Sequence, residues 1–255
     1  MKKAGLQYAF SQDHAGTVFN APLRRQKALK TLAVLEDHLH DLGCLDALEI
    51  GSAAGYCTIH YATRLRQISA VDIDLRAIQH ARQHNPASNV NYLVMDAQHL
   101  AFPDATFDIV ICMHVYEHVP DAVAMMGEID RVLKPGGVCY FTAGNRLSII
   151  EPHYRLPFLS VLPKPLSHLY LRLLQRGTYY YENHLTYWGL KRLVVGFENV
   201  DYTMRVVENP EQFGATEVIA PDSLKQKLSI FFLKVAYWLC PTYLWLLTKS
   251  RSPLS

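Results

Sequence analysis

The chain has 255 residues, of which 50% are hydrophobic and 19% are charged. This length and composition predict one substantial core within a single domain, residues 1–255, and exclude a largely disordered protein. The formal net charge of +2 gives no support for a nucleic-acid partner.

The cysteines predict a reducing environment. They are odd in number, scattered, and without the Cys-x-x-Cys spacing of zinc sites. We therefore expect free, largely buried thiols in a cytoplasmic protein. The first residues are basic, but no continuous apolar segment follows them, so a signal peptide is not predicted.

Helices and strands alternate along the first part of the chain. Leucines at three- and four-residue steps predict a helix from Arg24 to Leu42, and the short apolar run Asp46 to Ile50 predicts a buried strand. A glycine turn and a helix over 55–65 follow. The next predicted elements are strand 67–72, helix 75–84, strand 90–94, strand 107–113, helix 121–133 and strand 138–142. This alternation is typical of a doubly wound, mostly parallel α/β sheet.

Residues 144–183 interrupt the alternation. Four prolines and a run of aromatic and basic side chains, ending in Tyr179-Tyr-Tyr181, predict an insertion and not a sheet element. Regular elements are again expected as helix 186–195, strand 200–207, helix 222–239 and strand 243–248.

The turn after the first strand has the residues of a nucleotide-binding loop. Gly51 and Gly55 allow a ligand to approach the backbone, and a helix N-terminus with free N–H groups follows. Asp72 ends the second strand, where a carboxylate can accept hydrogen bonds from vicinal ribose hydroxyls. Asp96-Ala97 ends the third strand at the same edge of the sheet, where an acceptor and a backbone N–H can contact an adenine. Each aspartate alone could be a helix cap, but together they favour a nucleoside ligand.

Five motifs in order resemble the class I S-adenosylmethionine-dependent methyltransferases, in particular the small-molecule branch. They are Leu48-Glu-Ile-Gly-x-x-x-Gly55, Ala70-Val-Asp-Ile-Asp74, Met95-Asp-Ala through Phe107-Asp108, Glu117-His-Val119, and Arg131-Val-Leu-Lys-Pro-Gly-Gly137. The resemblance covers about residues 47–143 and implies S-adenosyl-L-methionine as cofactor. It also implies a seven-stranded Rossmann-like sheet whose last strand is antiparallel, with residues 144–183 as a helical and aromatic cap. A nicotinamide dehydrogenase would need G-x-G-x-x-G, which is absent here.

The resemblance also implies which residues hold the cofactor. Glu49, Gly51 and Gly55 would shape the methionine end. The backbone of Ser52 and Ala53 would approach the cofactor, although the family usually has glycine at position 53. The remaining contacts, for the ribose, the adenine and the sulfonium, would come from Asp72, Ile73, Asp96, Ala97, Met113 and His114.

His114 and His118 are the candidate catalytic residues, because they follow the fourth strand and a hydroxyl acceptor would need a base. His118 can alternatively make a structural hydrogen bond. The segment from His114 to His118, His-Val-Tyr-Glu-His, matches the H-x-x-E-H motif of zinc peptidases. We attribute this match to coincidence, because the peptidase motif needs a continuous helix. The same segment partly resembles quinone-pathway O-methyltransferases whose acidic and histidine side chains can hold a divalent ion. His114 replaces the first glutamate of that pattern, and we assign no metal ligand.

The insertion is expected to bind the acceptor, together with an N-terminal helical lid over residues 1–45. Its aromatic rings, with His153, Arg155 and Arg172, suit an apolar or aromatic small molecule that has a polar handle. Oxygen is the favoured acceptor atom. N- or C-methylation of a small molecule or lipid, and a catalytically silent cofactor-binding protein, are the alternatives. Tyr8, Phe10 and His14 are candidate lid residues.

The last helix and strand are unusually apolar. Lys234 and Pro241 interrupt residues 228–247, so a membrane-spanning helix is not expected, and burial in the fold explains most of this stretch. The aromatic residues exceed what one buried helix face needs, so peripheral contact with a membrane is a further interpretation. The oligomeric state is not predicted.

Overall fold

The computed structural model describes residues 20–250 and, before them, Gly16 alone. Within these residues the strands are β1 (Asp46–Ile50), β2 (Gln67–Asp72), β3 (Val90–Val94), β4 (Phe107–Met113), β5 (Leu133–Gly144), β6 (Ile150–Glu151), β7 (Leu156–Pro157), β8 (Phe197–Asp201) and β9 (Thr242–Lys249). The lid candidates Tyr8, Phe10 and His14 lie outside the described residues.

The helices include several that begin at a polar cap. Side chains of Asn20, Asp74, Asp121, Thr186 and Ser223 accept a hydrogen bond from the first turn that follows them. The helices are α1 (Ala21–Leu39), α2 (Thr58–Tyr61), α3 (Leu75–His84), α4 (Ala122–Val132), α5 (Lys164–Leu173), α6 (Tyr187–Leu193), α7 (Thr203–Glu208) and α8 (Leu224–Ala236), with a 3₁₀ turn at Tyr237–Leu239.

Seven strands form one sheet in the order β3-β2-β1-β4-β5-β9-β8. The pairs among the first five strands are parallel, whereas β9 is antiparallel to both β5 and β8. The predicted fold class, a doubly wound and mostly parallel sheet with the last strand antiparallel, is therefore confirmed. The carboxyl ends of the parallel strands meet at one edge, which is where ligands bind in open α/β sheets.

The core lies on both faces of this sheet. In β4, Ile109 and Ile111 pack with α1 and α3, whereas Val110 and Cys112 pack with α4 and α6. This is the two-residue alternation of a strand that is buried on both faces. All five cysteines are free, and Cys44 alone among them is exposed.

Several predicted boundaries were wrong, including the start of β5, which lies at Leu133 and not at Val138. The helix expected over 55–65 is the single turn α2, because the preceding loop stays in turn conformation through Gly55. The strand expected over 200–207 ends at Asp201, whose side chain accepts a hydrogen bond from the backbone N–H of Thr203 and so begins α7. The first helix ends at Leu39, four residues before the predicted Gly43 stop.

The insertion has secondary structure and a small core of its own. Strands β6 and β7 pair in a hairpin, α5 follows, and Leu156, Leu159, Leu171 and Tyr180 pack together. Both ends of the insertion lie side by side, since Asn145 and Leu185 form a β-bridge. Every helix in the described part of the chain is too short or too polar to span a lipid bilayer.

Candidate active site

A cavity of about 460 Å³ lies at the carboxyl edge of the sheet, between α1 and the insertion. Most residues predicted for the cofactor or for catalysis line it, namely Gly51, Ala53, Asp72, Ile73, Asp96, Ala97, Met113, His114 and His118. Glu49, Ser52 and Gly55 do not line the cavity but lie in or under the glycine turn. The fold thus brings together residues that are more than sixty positions apart in the sequence.

The glycine turn leaves no room for side chains at its two glycines. Gly51 has φ +76°, and a Cβ atom there would lie 2.7 Å from Cγ2 of Val115. Gly55 has φ +78°, and a Cβ atom there would lie 2.6 Å from the hydroxyl of Tyr92. Both positions therefore require glycine for conformation and for space. Ala53 between them also has a left-handed φ of +50°, which strains a residue with a side chain.

Substitution of Ala53 by glycine is expected to raise the free energy of unfolding by up to about 1 kcal/mol, because it removes the strain of the left-handed backbone. Urea unfolding followed by circular dichroism measures the change. Ala54→Gly is the matched control: Ala54 is 1% exposed and is not among the residues of positive φ. This control should lower the stability, by about 0.5–1 kcal/mol or more. Equal losses in both variants would contradict the prediction.

Asp72 is held in place by the backbone of the turn. One carboxylate oxygen accepts a hydrogen bond from the N–H of Ala53 at 2.8 Å, and the other accepts one from the N–H of Asp74 at 2.9 Å. Burial raises the pKa of Asp72, and the two backbone hydrogen bonds oppose that shift. Each oxygen has a remaining lone pair, so the carboxylate can accept hydrogen bonds from the two hydroxyls of a ribose.

Asp96 and Ala97 lie at the adjoining strand end. Asp96 accepts hydrogen bonds from the backbone N–H and the side-chain amide of Gln98, at 2.9 and 3.0 Å for the same oxygen. These bonds fix the carboxylate at the cavity wall, and Ile73 completes the apolar part of this wall with Ala97. The arrangement suits a flat ring with an exocyclic amino group.

Glu49 is 2% exposed and lies beneath the turn. It accepts a hydrogen bond of 2.6 Å from the hydroxyl of Thr58, the first residue of α2. Burial raises the pKa of its carboxyl to about 7. The hydrogen bond thus ties the end of β1 to the first residue of α2. Ser52 is buried nearby, with a hydroxyl oxygen that lacks a hydrogen-bond partner.

His114 is the first residue after β4, with a left-handed φ of +54° that aims its side chain into the cavity wall. Its Nδ1 lies 3.3 Å from Oε1 of Glu117, which is fully buried. Burial favours the protonated form of Glu117, but His114 and the charges of His118 and His184 outweigh it and lower the pKa to about 2. Burial lowers the pKa of His114 below its ordinary value, although Glu117 opposes that shift. A neutral imidazole held by a carboxylate is the arrangement of a general base.

His118 also lines the cavity, and its ring lies 5.0 Å from that of His153 in the insertion. Nδ1 of His153 in turn lies 2.7 Å from Oε1 of the buried Glu151. His184 approaches the same oxygen at 3.4 Å. Burial raises the pKa of Glu151, but its hydrogen bonds with the two histidines outweigh burial and lower this pKa to about 2. The site therefore contains a cluster of histidines and carboxylates that the sequence pattern did not indicate.

Two cationic residues of α1 were missed by the sequence analysis. Arg24 and Lys27 line the cavity from its far side, and burial lowers the pKa of Lys27. The leucine spacing predicted the helix, but no sequence signal specifies which neighbouring element its polar face meets. Glu117 was quoted only as part of a motif, because its burial against His114 depends on the turn after β4.

The residues present fit S-adenosylmethionine. The cavity has a carboxylate at Asp72 that can accept hydrogen bonds from ribose hydroxyls, apolar lining at Ala97, and a turn that lines the cavity without a side chain at Gly51. When bound, the cofactor supplies a methyl group on a positively charged sulfonium.

Residues 48–141 match the family model described as a methyltransferase domain. Over 148 residues the chain is 31% identical to a ubiquinone biosynthesis O-methyltransferase of Xanthomonas oryzae pv. oryzae, which covers 57% of this chain and 58% of that protein. It is 30% identical over 164 residues to the enzyme of the same name from Psychrobacter cryohalolentis, which covers 59% of this chain and 57% of that protein. The chain thus spans less than two thirds of the length of these relatives.

Solved structures share the fold at lower identity. An S-adenosylmethionine-dependent methyltransferase from Mesorhizobium loti has a TM-score of 0.55 and 16% identity, and covers 85% of this chain and 96% of its own. An N-methyltransferase from Haemonchus contortus, determined with S-adenosylhomocysteine, has a TM-score of 0.55 and 18% identity, and covers 95% of this chain and 60% of its own. Residues 48–141 are thus similar to a methyltransferase domain, and the chain as a whole shares its fold with these solved structures.

Proposed function

We propose that this protein transfers the methyl group of S-adenosylmethionine to a hydroxyl oxygen of a small apolar or aromatic acceptor. The observation that supports oxygen is the pairing of His114 with the buried Glu117 at the cavity wall. The ubiquinone biosynthesis O-methyltransferases among the relatives support the same acceptor atom. A neutral amine acceptor would not need a base for its attack, because its lone pair is already available.

In this mechanism the chain positions the reactants and moves one proton. Asp72 would hold the ribose, Ile73 and Ala97 would contact the adenine, and Met113 and His114 would face the sulfonium end of the cofactor. Nε2 of His114 would accept the proton of the acceptor hydroxyl, and the cofactor would supply the methyl group that the oxygen receives and leave as S-adenosylhomocysteine. Glu117 stabilises the resulting imidazolium through Nδ1. Closure by the insertion excludes water, and alignment of the reacting atoms lowers much of the barrier.

The insertion supplies the acceptor half of the cavity in this proposal. Pro152, His153, Arg155 and Tyr181 line the cavity opposite the glycine turn. An aromatic ring can pack against Pro152 and Tyr181, while Arg155 can meet an anionic or polar substituent. Leu23 and Lys27 of α1 also line the cavity. Helix α1 belongs to the predicted lid over residues 1–45.

An acceptor screen tests the proposed function. Purified protein is incubated with S-adenosylmethionine labelled in its methyl group and with matched sets of phenols, catechols, amines and active-methylene compounds. Labelled product should form with an aromatic hydroxyl acceptor. Product from amines alone would favour the N-methyltransferase alternative. If calorimetry detects no binding of S-adenosylhomocysteine to the folded protein, neither alternative stands.

We further propose that α8 contacts a membrane surface while the rest of the protein stays in the cytoplasm. Leu224, Leu228, Phe231 and Val235 form one stripe on this helix and are 58–72% exposed. Lys227 and Lys234 flank the stripe, and Trp188 and Trp238 stack beside its end at 5.6 Å between ring centroids. Apolar and aromatic side chains beside lysines suit the interface of an anionic bilayer.

The double variant Leu228→Ser, Phe231→Ser is expected to reduce partition onto vesicles at least about tenfold, because two large apolar side chains leave the interface. Sedimentation with vesicles of mixed phosphatidylcholine and phosphatidylglycerol at low salt measures the partition. Val123→Ser on α4 is the control, since Val123 is 71% exposed but lies outside the stripe. Absence of binding by the unsubstituted protein would contradict the proposal.

A further inference from the structure

The insertion contains a set of metal-ligating side chains that methyl transfer as proposed does not use. One ligand atom from each of Glu151, His153 and His184 lies within 4.8 Å of the other two. The three side chains are shielded from solvent, with relative exposures of 0%, 17% and 2%. Two imidazoles and one carboxylate form a set that binds Zn²⁺ and related divalent transition metals in proteins.

The carboxylate of Glu151 is oriented in advance. Its Oε2 accepts hydrogen bonds from the backbone N–H groups of His153 and Tyr154, at 2.9 and 2.8 Å. Its Oε1 is left to face both imidazoles, with His153 Nδ1 at 2.7 Å and His184 Nε2 at 3.4 Å. Tetrahedral zinc ligands are separated by about 3.3 Å when the bonds are about 2.0–2.1 Å long. The pair formed with His184 already has this spacing, and the pair formed with His153 needs to widen by about half an ångström.

His184 provides a second observation. It is almost fully buried, and its Nδ1 has no hydrogen-bond partner. The ring is fixed against Gly144 at the end of β5, where a Cβ atom would lie 3.1 Å from Nδ1. A buried imidazole is costly to keep when it has a single weak contact at 3.4 Å. Coordination of a cation by Nε2 would replace the contact at 3.4 Å with a metal bond of about 2.0–2.1 Å, with the ring proton on Nδ1.

We propose that Glu151, His153 and His184 bind one divalent transition-metal ion, with Zn²⁺ the best match to the ligand set. His153 also lines the cavity, so an open coordination position there can meet the acceptor. The ion would fix the insertion over the site and polarise an acceptor oxygen. That second role rests on the proposed O-methyltransferase function, whereas binding of the ion does not.

A second group, Glu117, His118 and His153, shares one of these ligands. An ion in this group would share the carboxylate that pairs with His114, since Oε1 of Glu117 faces that imidazole at 3.3 Å and Oε2 is buried without a hydrogen-bond partner. His184 belongs to the proposed site alone and His118 to the second group alone. Substitution of these two residues therefore separates the two sites.

Cobalt titration of the chelator-treated full chain is the test, in a His84→Ala background. This substitution removes the exposed ring of His84, which stacks on that of the half-buried His80 at 4.1 Å and would otherwise offer metal a second pair of imidazoles. One Co²⁺ per chain should bind with the visible absorption of a four-coordinate ion, and Zn²⁺ should displace it. His184→Ala and Glu151→Gln should each weaken binding by about 100-fold or more, whereas His118→Ala should leave it nearly unchanged.

Two results would overturn the proposal. One is the absence both of cobalt absorption and of a zinc-dependent rise in Tm in the unsubstituted chain, which shows that the cluster is a hydrogen-bonded network. The other is loss of the metal in His118→Ala with retention in His184→Ala. Glu151→Gln keeps the size of the side chain, and circular dichroism with S-adenosylhomocysteine binding shows whether each variant is folded. Metal content is measured without turnover, so failure here is distinguishable from failure of the proposed methyl transfer.

Discussion

Replacement of His114 by alanine should lower kcat/KM for a hydroxyl acceptor by about 10²- to 10⁴-fold, the usual contribution of a general base. Binding of S-adenosylhomocysteine should change little, because the ribose and adenine contacts come from other strand ends. Steady-state kinetics with a methyl-labelled cofactor, and calorimetry on the same preparations, separate the two effects. Full turnover by the variant would rule out His114 as the base.

His114→Asn is the sharper control, since His114 has a φ of +54° and asparagine tolerates this conformation better than alanine does. If only the backbone matters, the asparagine variant should be active. If the base matters, it should be as slow as the alanine variant.

The pH dependence follows from the same residue. Burial lowers the pKa of His114 below the ordinary value of 6.5, so the imidazole is neutral at pH 7 and can accept a proton. We therefore expect kcat/KM of the unsubstituted protein to be level near neutrality and to fall in acid, with a midpoint below pH 6.5.

Removal of the Asp72 carboxylate should weaken binding of S-adenosylhomocysteine by about 10- to 150-fold in the Asp72→Ala variant. Hydrogen bonds to a charged group contribute about 1.5–3 kcal/mol, which corresponds to this range. The variant also loses the acceptor for the N–H groups of Ala53 and Asp74, so the glycine turn becomes less ordered. Isothermal titration calorimetry measures the dissociation constant directly.

Asp46→Asn is the matched control, because Asp46 begins β1 at the opposite edge of the same sheet. Its main side-chain partner is the exposed Arg66, and surface ion pairs contribute little. The affinity of the Asp46→Asn variant for S-adenosylhomocysteine should match that of the unsubstituted chain. Equal losses in both variants would show that the effect of Asp72→Ala is general destabilisation.

The sequence predicted the sheet well because its strands repeat a simple pattern. Apolar runs such as 107–113, each followed by polar residues at one edge, specify buried parallel strands. The same alignment of strand ends predicted that Gly51, Asp72 and Asp96 lie at one cavity. The unusual Ala53 was visible as a departure from the family pattern, and its left-handed φ gives that departure a physical meaning.

The rest of the site depends on contacts between distant segments. Glu117 meets His114 only because β4 ends in a left-handed turn, and His184 meets Glu151 across 33 positions of chain. Local patterns do not encode such pairs. The glycine turn likewise delays α2 until Thr58, which helix propensity alone did not predict.

The joined ends of the insertion have a consequence for how such a protein diversifies. Asn145 is buried, and its side chain donates hydrogen bonds to the carbonyls of Trp238 and Cys240, both at 2.9 Å. It also bridges to Leu185, so the chain leaves and re-enters the sheet at one anchored point. The family match ends at residue 141, before this point is reached. The segment between Asn145 and Leu185 can therefore change in sequence without moving the strand ends of the sheet. In the proposed function, such a change would alter the acceptor preference and leave the residues proposed for the cofactor in place.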